Sequence, residues 1–290
     1  MKEPNDIMLG KICMITGANS GIGKVTALEL AKKDAKIVMV CRDKKKGEAA
    51  LTEIKEQSGN ENIDLMIADL GSLESVRQLI SEFKARYNQL HVLVNNAGLL
   101  IYKYKETVDG IESTFAINHL GHFLLTNSLL DMLKASAPAR IINVSSGAHQ
   151  MTRSIDFNDL QGENGKKYSG FGAYARSKLA NVLFTYELAK RLEGTGVTVN
   201  ALHPGGIRTN FGKTDAPWIF RQGMSVIGRF LKTPEKGAQT SIYLASSSEV
   251  EGVSGKYFVN CKEENSSKVS YNESLQKELW DVSEKLTRLN

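Results

Sequence analysis

Tyr174 and Lys178 stand four residues apart in Tyr174-Ala-Arg-Ser-Lys178. Four residues is one helical turn, so a helix there would set a phenol and an ammonium on one face. A tyrosine with an ordinary pKa near ~10 exchanges protons poorly at neutral pH. A neighbouring cation lowers that value, and a shift of ~3 units corresponds to roughly 4 kcal/mol. The pair therefore suits proton transfer. The same spacing recurs at Tyr186 and Lys190, so the elements that position each pair must choose between them.

The first of those elements suits a nucleotide. Ile12-Cys13-Met14-Ile15 is a short apolar run of strand formers, and Thr16-Gly17-Ala18-Asn19-Ser20-Gly21-Ile22-Gly23 follows it at once. Val25, Leu28, Leu30 and Ala31 then fall on the inward side of a helix that starts near Ile22. Glycines 17, 21 and 23 let the backbone turn sharply and approach a ligand, and the amides at the helix start, with Asn19, Ser20 and Ile22 among their residues, favour a pyrophosphate. A bare tight turn would also carry glycines; the position between a buried strand and an amphipathic helix argues for the nucleotide.

The next strand, Ala35 to Val40, runs into Cys41-Arg42-Asp43. An acidic residue at this distance from the glycines serves the adenosine ribose, whereas a basic one accommodates a 2′-phosphate. Neutral Cys41 followed by Arg42 favours NADP(H), because guanidinium binds phosphate bidentately. The bland reading is a surface arginine beside Asp43; Lys24 and Lys44 are further candidates for the same phosphate.

Alternation continues with a helix over 45–57, a strand over 63–67 ending at Asp69-Leu70, a helix over 73–86 and a strand over 91–95. Such alternation predicts a parallel sheet covered on both faces. Asp69 lies on the edge where such sheets bind ligands, suited to an adenine contact or to capping the next helix. Asn95-Asn96-Ala97-Gly98 closes its strand with small residues and amides that let backbone lie against a cofactor, or simply form a turn. A long apolar helix from about Phe115 to Leu133 holds Asn118, a poor helix-interior residue that seeks polar partners. His119 and His122 lack a third ligand and read as structural or surface residues.

The strand Arg140 to Val144 delivers Ser145-Ser146 to its carboxyl end, the ligand edge, and the helix starting near Phe171 begins on that edge. Tyr174 is in its first turn beside Ser146, whereas Tyr186 is about 18 Å further along the axis. Tyr174 and Lys178 are thus the catalytic candidates, and Tyr186 with Lys190 reads as a helix-surface pair. A strand over 197–201, a helix over 236–245 and a strand over 256–260 complete seven strands. The tail places Leu275, Leu279, Val282, Leu286 and Leu289 at helical intervals, so it should dock.

Composition bounds the function classes. The 290 residues are 41% hydrophobic and 24% charged, ordinary for a globular protein, and read as one domain. A net charge of +5 without clustering beyond Lys44-Lys45-Lys46 gives no footprint for nucleic acid. Cys13, Cys41 and Cys261 lack metal-ligand spacing, and no metal is expected. The polar opening, without a signal-peptide core or an apolar span, and the scattered cysteines lead to the expectation of a cytoplasmic protein.

Taken in order, Thr16-Gly-x-x-x-Gly-Ile-Gly23, Asp69, Asn95-Asn-Ala-Gly98, Asn118, Val144-Ser-Ser146, Tyr174-x-x-x-Lys178 and Pro204-Gly-x-x-x-Thr209 resemble the short-chain dehydrogenases/reductases across nearly the whole chain. Cys41-Arg-Asp43, Ile117-Asn-His-Leu-Gly-His-Phe123 and Thr233-Pro-Glu-Lys-Gly-Ala-Gln-Thr240 look like its retinol-dehydrogenase-like branch. The resemblance implies a Rossmann-type α/β fold of seven mainly parallel strands and NADP(H)-linked hydride transfer at a carbonyl or alcohol. It also implies Tyr174 as general acid/base, Lys178 lowering its pKa and holding the nicotinamide ribose, Ser146 on the substrate oxygen and Asn118 in a proton relay. Pro204, Gly205 and Thr209 would frame the nicotinamide, and the family leads one to expect a homo-oligomer.

Between about 210 and 231, Trp218, Phe220, Met224 and Phe230 interrupt the strand-helix rhythm. An apolar insertion at the ligand edge reads as a lid over a small hydrophobic substrate, with subunit contact or peripheral membrane attachment as alternatives. Two other functions fit the same residues: carbon–carbon double-bond reduction, as in the similar light-dependent protochlorophyllide reductases, and a dinucleotide-sensing binding module without catalysis.

Overall fold

Apolar runs rich in β-branched residues form the strands here, and period-2 alternation sends successive side chains to opposite faces of the sheet. The computed structural model describes residues 8–160, 168–206 and 233–289. Its strands are β1 (Ile12–Thr16), β2 (Lys36–Cys41), β3 (Ile63–Ile67), β4 (Val92–Asn95), β5 (Ala139–Val144), β6 (Val197–His203), β7 (Lys256–Val259) and β8 (Lys262–Glu264). They form one sheet in the order β3-β2-β1-β4-β5-β6-β7-β8. All neighbours are parallel except β7 and β8. The order reverses between β1 and β4, which opens a crevice at their carboxyl ends.

Helices cover both faces. Cys13 and Ile15 of β1 join a core with Ala27, Leu30 and Ala31 of α1 (Gly21–Lys32), Ile54 of α2 (Lys44–Ser58) and Leu244. Met14 faces the other core, built from Leu79 and Phe83 of α3 (Leu73–Arg86), with Phe123, Phe184 and Trp280. Phe83 is fully buried, which is worth about 2–3 kcal/mol from the water it sheds. Next come α4 (Ser113–Phe115), a π-helical turn over Ala116–Leu120, α5 (Gly121–Ser128), α6 (Leu130–Ala135), α7 (Gly170–Arg191), α8 (Pro234–Ser246) and α9 (Glu273–Thr287).

Four expectations need correction. Among the described residues the sheet has eight strands, not seven. Lys262-Glu-Glu264 is all charge and shows no alternation, yet it turns back at Asn260 and Cys261, both in the left-handed region at φ 51 and 61, and pairs antiparallel with β7. Its charges suit an edge strand that must not recruit another. The long apolar helix expected over 115–133 is three pieces, with the π turn around Asn118 and a break at Leu129.

Tyr186 and Lys190 are not a surface pair. Tyr186 is buried, its hydroxyl lies 2.6 Å from Ser266 Oγ and its ring stacks on Tyr271, while Lys190 reaches Gln276 and Glu273 of α9. The tail does dock, but the centre of its buried face is Gln276, Leu279, Trp280, Ser283 and Thr287, with Leu275 and Leu286 at the flank. The polar members are satisfied there, since Gln276 donates to the Ser270 carbonyl and Ser283 to the Leu279 carbonyl.

Candidate active site

The carboxyl ends of β1 to β6 lie on one edge of the parallel sheet, and each is followed by a residue named from the sequence. β5 ends at Val144, whose carbonyl accepts from Lys178 Nζ at 2.9 Å; in return Ser145 Oγ donates to the Lys178 carbonyl at 2.7 Å. This exchange pins α7 against the strand end. The first turn of α7 is capped by Ser169, which accepts from the Gly172 N–H. Gly170 lies so close to the Ile101 carbonyl oxygen that a methyl group there would overlap it.

Tyr174 and Lys178 share a face, with the ammonium 5.7 Å from the ring centroid of the phenol. The hydroxyl of Ser146 hydrogen-bonds the Tyr174 phenol and favours its phenolate, but burial dominates and holds the Tyr174 pKa above the ordinary tyrosine value. Lys178 is buried, and burial lowers its own pKa to about 8. The expected lowering of the Tyr174 pKa by Lys178 is therefore not what this environment does: the bond from Ser146 provides the pull, and both groups carry a desolvation penalty.

Asn118 stands opposite. Its side-chain oxygen accepts from the Leu99 N–H at 2.8 Å, and its amide nitrogen donates to the Leu99 carbonyl and to Ser177 Oγ, each at 2.9 Å. Gly98 closes the group, since a methyl there would stand 3.3 Å from both Asn118 Oδ1 and Lys178 Nζ. Below, Asn95 donates to Asn143 Oδ1 and Asn143 to Thr185 Oγ1, a buried polar ladder that joins β4, β5 and α7. Asn143 inside an apolar strand was the available sign of this ladder.

The glycine-rich loop enters from β1. Gly17 and Gly21 take φ of +68 and +56, which only glycine adopts without strain. A methyl at Gly23 would overlap both the Gly17 carbonyl oxygen and Asn96 Nδ2. The long helices α2, α3, α7 and α9 are each capped by a side chain, but Ser20 at the start of α1 makes no such bond and the first turn holds no acid. The first-turn N–H groups around Gly21, Ile22 and Gly23 thus lack a side-chain cap and suit an anion. Asn19 lies in the same loop, and its N–H, with that of Ala18, is directed at Cys41 Sγ. Replacing Gly23 with alanine should weaken dinucleotide binding at least ~100-fold by displacing this turn, checked by fluorescence titration with NADPH.

Burial keeps the Cys41 thiol neutral with its pKa up at about 11. Asp43 caps α2 by accepting from the Lys46 N–H at 3.1 Å, while Arg42 is exposed beside it. Lys24 pairs with Glu53, and Lys44 lies 3.8 Å from Glu48. Asp69 closes its own turn, accepting from the Gly71 N–H at 2.9 Å; Ser72, not Asp69, caps α3. Leu70 is buried with its carbonyl against Gly121. Asn96 Nδ2 donates to the Thr16 carbonyl at 2.7 Å, and Ala97 follows in the same turn.

Pro204 and Gly205 leave β6 on the same edge. The N–H groups of Gly205 and Gly147 both donate to His203 Nδ1, at 3.3 and 3.0 Å. Thr209 and the apolar insertion near 210–231 lie outside the described residues. His119 and His122, read as structural or surface residues, are both core residues. A cleft of about 740 Å³ between His91, Arg140, Lys190 and Val197 opens at the opposite, amino-terminal edge of the sheet. It holds none of these groups, and parallel sheets place their chemistry at the carboxyl ends. Among the described residues no helix is long and apolar enough to cross a membrane.

Comparison with known proteins places this geometry. A sequence profile described as short chain dehydrogenase matches residues 11–156 and 161–219. Retinol dehydrogenase 14 of Homo sapiens is 47% identical over 298 residues, covering 98% of this chain and 88% of that protein. Retinol dehydrogenase 12 of Homo sapiens is 47% identical over 274 residues, covering 94% and 85%. Among solved structures, an uncharacterised protein from Mycobacterium paratuberculosis superposes with a TM-score of 0.78 at 33% identity, covering 98% of this chain and 96% of that one. The Pseudomonas aeruginosa RhlG/NADP active-site complex gives 0.69 at 26% identity, covering 88% and 96%.

Proposed function

The chain belongs to the short-chain dehydrogenase family and is an oxidoreductase of CH–OH groups, and from that premise we propose NADP(H)-linked interconversion of a hydrophobic, retinoid-like aldehyde or ketone with its alcohol. The observation that carries this reading is the convergence of Ser146, Tyr174, Lys178, Asn118 and Gly98 at the carboxyl edge of the sheet, beside the crevice that the glycine loop enters.

The bound nicotinamide would supply or accept the hydride. Gly17, Asn19, Ser20, Gly21, Ile22 and Gly23 would hold its pyrophosphate at the start of α1, with Asp69 and Leu70 beside the adenine. Asn96, Ala97, Gly98, Pro204, Gly205 and Thr209 would line the nicotinamide half. The Tyr174 hydroxyl gives its proton to the substrate oxygen, on which Ser146 Oγ supplies a second hydrogen bond. Lys178 would present its ammonium to the ribose hydroxyls, and Asn118 would hold the relay that returns a proton to the site.

Arg42 supports NADP over NAD, since the neighbouring thiol is neutral and the neighbouring carboxylate is engaged as a helix cap. The hydrophobic substrate class is supported by the relatives' names and by an exposed aromatic ring beside the phenol: Phe171, 43% exposed, has its ring 6.4 Å from that of Tyr174. Free thiols at Cys13, Cys41 and Cys261 support a reducing compartment, in keeping with a cytoplasmic location.

The test is turnover of retinal, medium-chain aldehydes and ketones with NADPH or NADH, followed at the nicotinamide absorbance. Retinal or a long apolar aldehyde should be the best substrate. NADPH binding without oxidation by any carbonyl would replace the enzyme reading with a sensor. Arg42→Ala should cut the NADPH-to-NADH preference in kcat/KM by about 10–100-fold, the loss of one charge-assisted bidentate contact. An unchanged ratio removes Arg42 from the phosphate.

A further inference from the structure

His122 is buried on α5, one turn beyond Asn118. Its Nδ1 lies 3.2 Å from the Asn118 carbonyl oxygen and its Nε2 2.9 Å from Thr16 Oγ1. A carbonyl can only accept, so Nδ1 carries the proton. Burial holds the imidazole neutral, with its pKa down at about 4, which leaves Nε2 as an acceptor and makes the Thr16 hydroxyl its donor. The competing use of that hydrogen, a bond to the Val94 carbonyl, is longer at 3.4 Å. With its hydrogen directed at His122, Thr16 Oγ1 turns its lone pairs to the N–H groups of Asn96 and Ala97, each at 2.9 Å.

One ring therefore spans two turns with different work. The Asn96-Ala97 turn walls the dinucleotide crevice. The Asn118 turn is the π-helical step opposite Lys178, and because the Asn118 side chain is committed to Leu99 and Ser177, its carbonyl is the group left for His122 to set. We propose that His122 is a positioning residue that fixes the cofactor wall through Thr16 and the proton-relay turn through the Asn118 carbonyl at the same time. The inference rests on the function proposed above, which assigns those two turns their work.

Two substitutions divide the ring. Asparagine places an amide nitrogen near the Nδ1 position and keeps the arm to Asn118. Glutamine reaches the Nε2 position and keeps the arm to Thr16. His122→Asn should weaken dinucleotide binding about tenfold while kcat at saturating dinucleotide holds; His122→Gln should lower kcat about tenfold while the dinucleotide Kd holds, each the scale of one hydrogen bond. His122→Leu should lose both. Equal losses of Kd and kcat across the three, in step with Tm, would make the ring plain packing and overturn the proposal, as would no loss in any.

Independently of any variant folding, the assigned 15N resonances of His122 in the wild-type protein should show the neutral Nδ1–H tautomer, the less common one in solution. An Nε2–H tautomer overturns the proposal. Wild-type protein that binds no dinucleotide overturns the parent function and this inference together; normal binding and turnover with uniform variant losses overturns this inference alone.

Discussion

Lys178→Met should lower turnover roughly a thousandfold and yet raise the melting temperature. The two effects have one cause. Lys178 is 3% exposed, its ammonium donates to the Val144 carbonyl at 2.9 Å, and desolvation lowers its pKa, with no carboxylate among the described residues opposing it. Depression from 10.5 to about 8 corresponds to a cost on the order of 3 kcal/mol for keeping the charge inside the folded state. Methionine retains the packing of the stem, and the Val144 carbonyl keeps Asn181 Nδ2 at 3.4 Å, so removal should recover about 1–3 kcal/mol, several degrees in Tm.

The pH dependence gives the sign. A lysine whose folded pKa lies below its unfolded value is protonated in the unfolded chain and neutral in the folded one between about 8 and 10.5. The unfolded state binds more protons there, so the penalty is present below about pH 8 and is relieved as pH rises. The stability difference between Lys178→Met and wild type should thus shrink from pH 7.5 towards pH 10. Taking the difference cancels the tyrosines whose raised pKa values act near the top of that range, Tyr87, Tyr168 and Tyr257 among them. In the active wild type, kcat/KM for the dinucleotide should fall as pH rises through about 8, since that ratio reports the free enzyme. A variant no more stable than wild type at pH 7.5 would mean that the ammonium is solvated or paired in solution.

How far such a site can be read from sequence depends on the range of the interactions that make it. The first seven strands follow from short local apolar runs, and β1-loop-α1 from glycines that act within eight residues, so these elements and the address of Tyr174 were legible. Tyr186 was not, because its burial is decided by Ser266 and Tyr271, far along the chain. The π turn escaped because an apolar stretch looks alike whether its hydrogen bonds close four or five residues back; only Asn118 in its middle hinted at a departure. β8 carries no apolar signal at all. The sign of the Tyr174 shift also inverted: spacing predicts a nearby cation, but burial of the whole pair is a property of the packed fold.

That inversion sets up the second large effect. Tyr174→Phe should lower turnover by about three to four orders of magnitude, the range of a lost general acid, while the dinucleotide still binds, because the glycine loop and Lys178 are untouched. With burial raising its pKa, Tyr174 keeps its proton throughout the neutral range and suits donation to a carbonyl better than acceptance from an alcohol. Wild-type reduction should therefore be fast and nearly flat below pH 8, whereas alcohol oxidation, which needs the phenolate, should be slow at pH 7 and climb with pH. Ser146→Ala tests the counterweight: without the hydrogen bond that favours the phenolate, the rise in oxidation should move to higher pH, while Tyr174→Phe should show no rise at all. Turnover in Tyr174→Phe above a tenth of wild type, or oxidation that peaks at neutral pH, would place the proton on another group.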